Sequence, residues 1–304
     1  GGDLRAQPFS GPRNGARELW AERPEPDGPA AAWCYSDRRS YLPGETVRLH
    51  MSSTRKAVRL RILREGAIPQ PAAEIGPLDT RFHAVPERAW ETGCGWPVAC
   101  DWTIPADLAP GGYLIEIRDA TDPAALPLGH HLVVIRGVKP AGGIALVAAT
   151  GTWSAYNDWG GANHYYGMEP DRPRGRSPIL STQRPWARGQ VWLPEGAPRS
   201  VNAVRPRGPG PARYDCVEWA FLHGFTKYYA LAGWASYERP FLIWAEQAGY
   251  RVEVLTQDDI HADPAALDGY DCAVFVGHDE YWSAEMRDTV DGYVTRGGRV
   301  ARFA

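Results

Sequence analysis

An apolar run, Val274-Phe275-Val276, stops at Gly277 and gives way at once to His278-Asp279-Glu280-Tyr281-Trp282 and then to Ser283, a helix-start residue. Apolar strand, polar turn, helix is how an open α/β sheet holds reactive side chains outside the carboxyl ends of its strands. A second run of this kind lies earlier. Ile144-Ala145-Leu146-Val147-Ala148-Ala149-Thr150 suits a central parallel strand buried on both faces. It leads into a polar-aromatic stretch, Gly151 to Gly167, whose composition predicts a long loop. The two polar turns are expected to leave neighbouring strand ends and face one another across a cleft.

The rest of the chain sorts around these runs. Residues 1–30 are rich in Gly, Pro, Arg and Asp without periodicity and predict an extended arm. Residues 31–137 carry short alternating runs such as Val58-Arg59-Leu60-Arg61-Ile62 and Tyr113-Leu114-Ile115-Glu116-Ile117, bounded by Pro-Gly and Gly-Gly. Several short strands without helical periodicity predict an antiparallel β-sandwich domain. His130-His131 at a strand entrance read as partly exposed surface histidines.

From residue 138 to 304 the pattern becomes α/β. Between 168 and 213 lies a Pro-, Arg- and Gly-rich segment, including Asp171 to Arg176 and Arg205 to Gly210, that reads as a lid, a subunit contact or a solvated loop. Helices are predicted from Val217 to Tyr229 and from Tyr237 to Gly249, a short one at Asp263-Pro264-Ala265-Ala266-Leu267, and one after Ser283 ending at Gly297. The order of strands and helices predicts a doubly wound α/β domain. The final Arg299 to Ala304 reads as a strand, so the last domain is expected to be cut short.

Composition narrows the function classes. A net charge of -3 gives no argument for nucleic acid or an acidic membrane. Five scattered cysteines make no disulfide scaffold, though Cys94 and Cys100 are near enough for a local bridge, and no Cys-x-x-Cys pair suggests structural zinc. Without a signal peptide or a run of about 18 apolar residues, the expected location is cytoplasmic.

The chemistry of the two turns can then be weighed. Covalent catalysis needs Ser or Cys on the strand-to-helix corner. That corner instead holds His278, Asp279 and Glu280; Cys272 lies too early, and Ser283 is better used as a cap. His278 and Glu280 are candidates for metal-free acid/base work, for metal ligation, or for a structural hydrogen bond and a helix cap. The facing turn offers Tyr156, Tyr165 and Tyr166. Phenols have a pKa near 10 and are poor ligands for zinc or magnesium, whereas a hard trivalent cation such as Fe(III) binds the phenolate. Two phenolates and one carboxylate would nearly neutralise it. Trp153, Trp159, Tyr281 and Trp282 are expected to wall a small apolar pocket.

At these residues the chain resembles the C-terminal region of the large (beta) subunit of the N,N-dimethylformamidase family. The matching words are Ala155-Tyr156-Asn157-Asp158-Trp159-Gly160-Gly161, Arg184-Pro185, Arg239-Pro240-Phe241-x-x-Trp244, Gly249-Tyr250, Asp259-Ile260-His261 and Gly277-His278-Asp279-Glu280-Tyr281, with Gly297-Gly298 after them. They run over roughly residues 144–304. The resemblance implies a glutamine-amidotransferase-like fold and a hydrolase of small amides with a mononuclear iron. It implies Glu280 and Tyr156 as ligands, Tyr166 in preference to Tyr165 as the third, and His278 as a nearby acid/base group. It also implies an asparagine falling past Ala304, a small partner subunit and a possible homo-oligomer. The alternatives are a non-catalytic binding module of the same family and a metal-free hydrolase using His278 and Glu280.

Overall fold

In Val58-Arg59-Leu60-Arg61-Ile62 the apolar residues are fully buried and the arginines lie on the more exposed face, because successive side chains of a strand point to opposite sides. The computed structural model that shows this describes residues 22–303 apart from 123, 139, 141, 167–176, 200–202 and 205–212. Its first elements are β1 (Ala32–Ser36), β2 (Ser40–Tyr41), β3 (Thr46–Ser53), β4 (Ala57–Arg64), β5 (Gln70–Asp79), α1 (Ala89–Thr92), β6 (Val98–Thr103), β7 (Gly111–Asp119) and β8 (Gly129–Ile135). They form a three-stranded sheet, β1-β3-β6, and a five-stranded sheet, β2-β8-β7-β4-β5. Val47, Leu49 and Trp102 of the first share one core with Val58, Leu60, Ile115 and Val133 of the second. One pairing departs from the antiparallel expectation: β2 runs parallel to β8. This two-residue strand is placed by Tyr41, whose ring is fully buried and whose hydroxyl donates to Asp37 Oδ1 at 2.7 Å, rather than by a hairpin.

The second half opens with β9 (Ile144–Ala148) and α2 (Thr150–Tyr156), followed by the short ribbon β10 (Ala203–Val204) and β11 (Arg213–Tyr214). Then come α3 (Asp215–His223), α4 (Glu238–Gln247), β12 (Val252–Thr256), α5 (Gln257–Ala262), β13 (Cys272–Val276), α6 (Ala284–Thr295) and β14 (Val300–Phe303). Four parallel strands lie in the order β12-β9-β13-β14. The chain thus steps outward from β9 to β12 and returns past β9 to β13. Their alternation serves two cores. Leu146, Ala148, Val254 and Val274 pack with Trp153 of α2 and with Leu242 and Ala245 of α4. Ala145, Val147, Ala273 and Phe275 pack with Ile260 of α5 and Tyr293 of α6. Both faces of these strands are therefore apolar, as a sheet covered on two sides requires.

The two halves are tied together. Leu114, Leu132 and Val134 of the five-stranded sheet enter the same core as β9 and α4. Charged pairs cross the same boundary. Arg39 binds Asp258 with two bonds of 2.7 Å, Arg136 pairs with Asp259 at 3.1 Å, Arg64 with Glu246 at 3.0 Å, and Arg239 with Glu65.

Several expectations are corrected here. The stretch after β9 begins with a helix, α2, not a loop, because Trp153, Ala155 and Tyr156 gain burial on one helical face despite poor intrinsic propensity. The short helix of this region is α5, starting at Thr256, where the Asp259 carboxylate accepts from Thr256 N and Oγ1 at 2.7 and 2.8 Å; Asp263 to Leu267 forms turns. Helix α3 stops at His223, since Gly224 turns the chain with φ +70°. His131 is buried with Nε2 2.8 Å from Ser36 Oγ, and His130 stacks on Trp192 at 4.3 Å; burial pushes both down to about 3. Cys94 and Cys100 are free thiols. The arm up to residue 21 and the words Asp171 to Arg176 and Arg205 to Gly210 lie outside the described residues.

Gly277 ends β13 with φ +66°, and a Cβ there would sit 2.2 Å from the Tyr237 ring. Gly277→Ala should therefore lower stability by roughly 2–4 kcal/mol, the sum of left-handed strain and overpacking. A urea-unfolding midpoint equal to that of the unsubstituted chain would contradict this.

Candidate functional site

The site is built where β9 and β13, hydrogen-bonded neighbours, release the chain at their carboxyl ends. Thr152, fully buried in the first turn of α2, accepts from the backbone N–H of Glu280 at 2.9 Å and of Tyr281 at 3.2 Å. Gln257, equally buried, accepts from Gly151 N at 2.7 Å and donates to Asp279 Oδ1 at 2.8 Å and Tyr281 O at 3.1 Å. These two side chains tie α2 to the segment after β13 and set where Glu280 points.

Three groups meet one oxygen of Glu280. Tyr156 Oη donates to Oε2 at 3.2 Å, Tyr165 Oη donates to it at 3.0 Å, and His278 Nε2 lies 3.0 Å away. The rings of Tyr156 and Tyr165 lie 4.6 Å apart, and that of His278 is 5.1 Å from Tyr156. His278 Nδ1 is 3.0 Å from the Leu231 carbonyl oxygen, which only accepts, so Nδ1 carries a proton. Its Nε2 faces Glu280 Oε2 across the 3.0 Å contact. The Glu280 side chain is 42% exposed, so the cluster opens to solvent.

Burial raises the Tyr156 phenol above its usual value, and the Glu280 charge adds to this against an opposing hydrogen bond from Tyr165. Tyr165 is raised too, first by burial and then by its bonds to Tyr156, Tyr281 and Glu280. Without a cation, both tyrosines are neutral donors to the carboxylate.

The cluster brings together His278, Glu280 and Tyr156 but not Tyr166. Tyr166 is 36% exposed and carries Lys227 Nζ over its ring at 4.2 Å. Tyr165 takes the inward position because Asn163 holds this loop. Its Oδ1 accepts from Tyr165 N at 2.8 Å and Tyr166 N at 2.9 Å, while Nδ2 donates to Tyr156 O at 3.2 Å. Asn163 and Thr152 were not expected from the sequence; the signal for the first is an Asn two residues before the inward tyrosine, the pattern of an Asx-turn.

The expected apolar wall also changes. Trp153 and Trp159 are buried core residues, packed edge-on against Trp186 and Trp96. Trp282 donates to Asp279 Oδ1 at 2.9 Å and stacks near Phe275. Tyr228 and Tyr281 border the cluster instead, through a 5.6 Å ring contact with Tyr156 and a 2.7 Å contact to Tyr165 Oη. A cavity of about 500 Å³ lined by Trp33, His130, Arg188, Trp192 and Phe225 includes neither Glu280 nor the tyrosines and histidine that meet it.

The donor set suits one kind of metal. Among the described residues no three His, Cys, Asp or Glu side chains group as ligands. The phenol oxygens of Tyr156 and Tyr165 stand beside the Glu280 carboxylate instead, and two phenolates with one carboxylate would match the charge and hardness of a trivalent ion.

With this geometry in hand, the chain matches the family described as N,N-dimethylformamidase beta subunit-like, C-terminal, over residues 64–304, and it belongs to that family. The match begins within β4, well before the parallel sheet. The family's description refers to the C-terminal part of a dimethylformamidase beta subunit-like protein. No curated protein matches the sequence. The crystal structure of Spo0M, a sporulation control protein from Bacillus subtilis, aligns over 36% of this chain and 50% of its own, with 12% identity and a TM-score of 0.24, a likeness too low to bear on fold or function. No helix among the described residues is long and apolar enough to cross a membrane.

Two measurements probe the base of the site. Thr152→Val keeps the shape but removes the acceptor for two N–H groups, and should cost about 1–2 kcal/mol in chemical denaturation; an unchanged midpoint contradicts the tie. Beneath it, buried Glu238 accepts from Ala149 N at 3.0 Å and Trp153 Nε1 at 3.1 Å, and burial raises it to about 7. A carboxyl raised in the folded state stabilises fully below its unfolded value and loses that contribution as pH rises through the folded one. Stability should fall between pH 5 and 8 by on the order of 3 kcal/mol from this group, and Glu238→Gln should flatten that fall.

Proposed function

We propose that this protein is a dimethylformamidase-type hydrolase of small linear amides, with Tyr156, Tyr165 and Glu280 holding a mononuclear ferric ion. The observation that carries the reading is the meeting of two phenol oxygens on one carboxylate oxygen, at 3.2 and 3.0 Å, beside His278. Tyr165 replaces Tyr166 in this proposal because its hydroxyl, not that of Tyr166, lies at the cluster. A ferric ion, when bound, supplies Lewis-acid polarisation of a carbonyl and a more acidic water.

The chain's own residues do the rest. The Leu231 carbonyl fixes the His278 ring by accepting from Nδ1, which leaves Nε2 at the cluster as the atom that takes or returns a proton. Water is consumed, the amide C–N bond breaks, and the products are a carboxylic acid and an amine; the amine must receive a proton, and His278 Nε2 is placed to give it. Tyr281, half-buried beside the cluster with its ring 5.3 Å from that of His164, is the aromatic neighbour against which a small amide would lie. The same proposal includes the glutamine-amidotransferase-like, doubly wound reading of the parallel sheet, supported by the step from β9 to β12 and back to β13, and the β-sandwich reading of the two preceding sheets, supported by their shared core. It also includes a cytoplasmic location, which suits five free cysteines, a partner small subunit, suggested by the family's description as a beta subunit, and a homo-oligomer.

A second reading has one observation in its favour. The 3.0 Å contact of His278 with Glu280 is also what a metal-free acid/base pair would show. One variant separates the two. Tyr156→Phe should lower hydrolysis by on the order of 100-fold or more and weaken the visible phenolate-to-iron band on adding ferric ion. Activity that survives the substitution supports the metal-free pair. A protein with neither iron nor hydrolysis of small amides is the non-catalytic binding module.

A further inference from the structure

We propose that Tyr281 is a positioning residue for Tyr165, donating its phenol proton to the Tyr165 oxygen and so limiting the electron density that this oxygen gives to a bound cation. The inference rests on the ferric reading above. A proton count carries it. Each phenol has one proton to donate. With a cation bound, Tyr165 is a phenolate and has no proton left to give. Its 2.7 Å contact with Tyr281 Oη must then run from Tyr281 to Tyr165.

The donor is set in place before any ligand arrives. Tyr281 N donates to Thr152 Oγ1 at 3.2 Å, and its carbonyl accepts from Gln257 Nε2 at 3.1 Å. Its ring packs against His164 with centroids 5.3 Å apart. Thr152 and Gln257 are both fully buried, so the backbone that aims the hydroxyl has little freedom. When Tyr165 yields its proton to the solvent on holding a cation, the Tyr281 hydroxyl already faces a lone pair of the phenolate. The bond becomes charge-assisted and shortens. A phenolate that accepts such a bond is a weaker donor, which leaves the cation a stronger acid toward an amide carbonyl. Tyr281 itself need not touch the ion or the substrate.

The test uses the full chain with added ferric ion, in four forms: unsubstituted, Tyr281→Phe, Tyr165→Phe and the double variant. Unfolding midpoints establish that each is folded. Removal of the Tyr281 hydroxyl should move the phenolate-to-iron band to longer wavelength, because an unbonded phenolate gives up its electron more readily. In the Tyr165→Phe background the same removal should leave the remaining band where it is. A band that stays in place in Tyr281→Phe, or an equal shift with and without Tyr165, overturns the inference while leaving the ferric site intact. An unsubstituted protein that shows no band overturns both.

Discussion

Two fully buried polar side chains, Thr152 and Gln257, determine whether this chain has a site at all. They satisfy backbone and side-chain groups on both sides of the gap between α2 and the segment after β13. In a poorly solvated place each unmade bond costs more than a made one returns, so such a network admits few arrangements. The arrangement it admits puts Glu280 within reach of Tyr156 and Tyr165. Asn163 performs the same service for the tyrosine loop, with three bonds from one amide.

Much of this was legible in the residues, and the rest was not for identifiable reasons. The runs ending at Ala148 and Val276 are apolar on both faces, which only a covered parallel sheet explains, and the structure pairs them side by side. Ser283 caps α6 as its sequence suggests, with Oγ accepting from Met286 N at 3.1 Å. Helix α2 was hidden because Gly151, Thr152, Trp153 and Tyr156 are mediocre helix formers, and tertiary burial rather than propensity makes them helical. Helix α5 was hidden differently: the capping pair Thr256 and Asp259 is present in the sequence, but Asp263-Pro264 nearby is a louder helix-start signal. Which of two adjacent tyrosines turns inward depends on an Asx-turn, and spacing alone does not encode that.

The β-rich half is more than a neighbour. Its five-stranded sheet contributes Leu114, Leu132 and Val134 to the core under β9. Arg39 reaches across to Asp258 and also bonds Thr150 O at 3.1 Å and Ser154 Oγ at 2.8 Å. An arginine with a planar fork suits such a junction, since several fixed donors can be satisfied at once. The helix that carries Tyr156 is thus held from the β-rich side as well as from below.

Tyr156 and Glu280 are 124 residues apart in the chain. No short piece of this protein can hold both, and the strands that present them must first close a long loop and pair in parallel, a slow kind of contact to form. The order of events follows. A ligand at Glu280 would meet a chain that is already folded, unlike small metal-dependent modules whose ligands are close neighbours and fold around the ion. Anything that then binds at Glu280 clasps two distant parts of the sheet, so its binding energy appears as resistance to global unfolding rather than as the ordering of one loop.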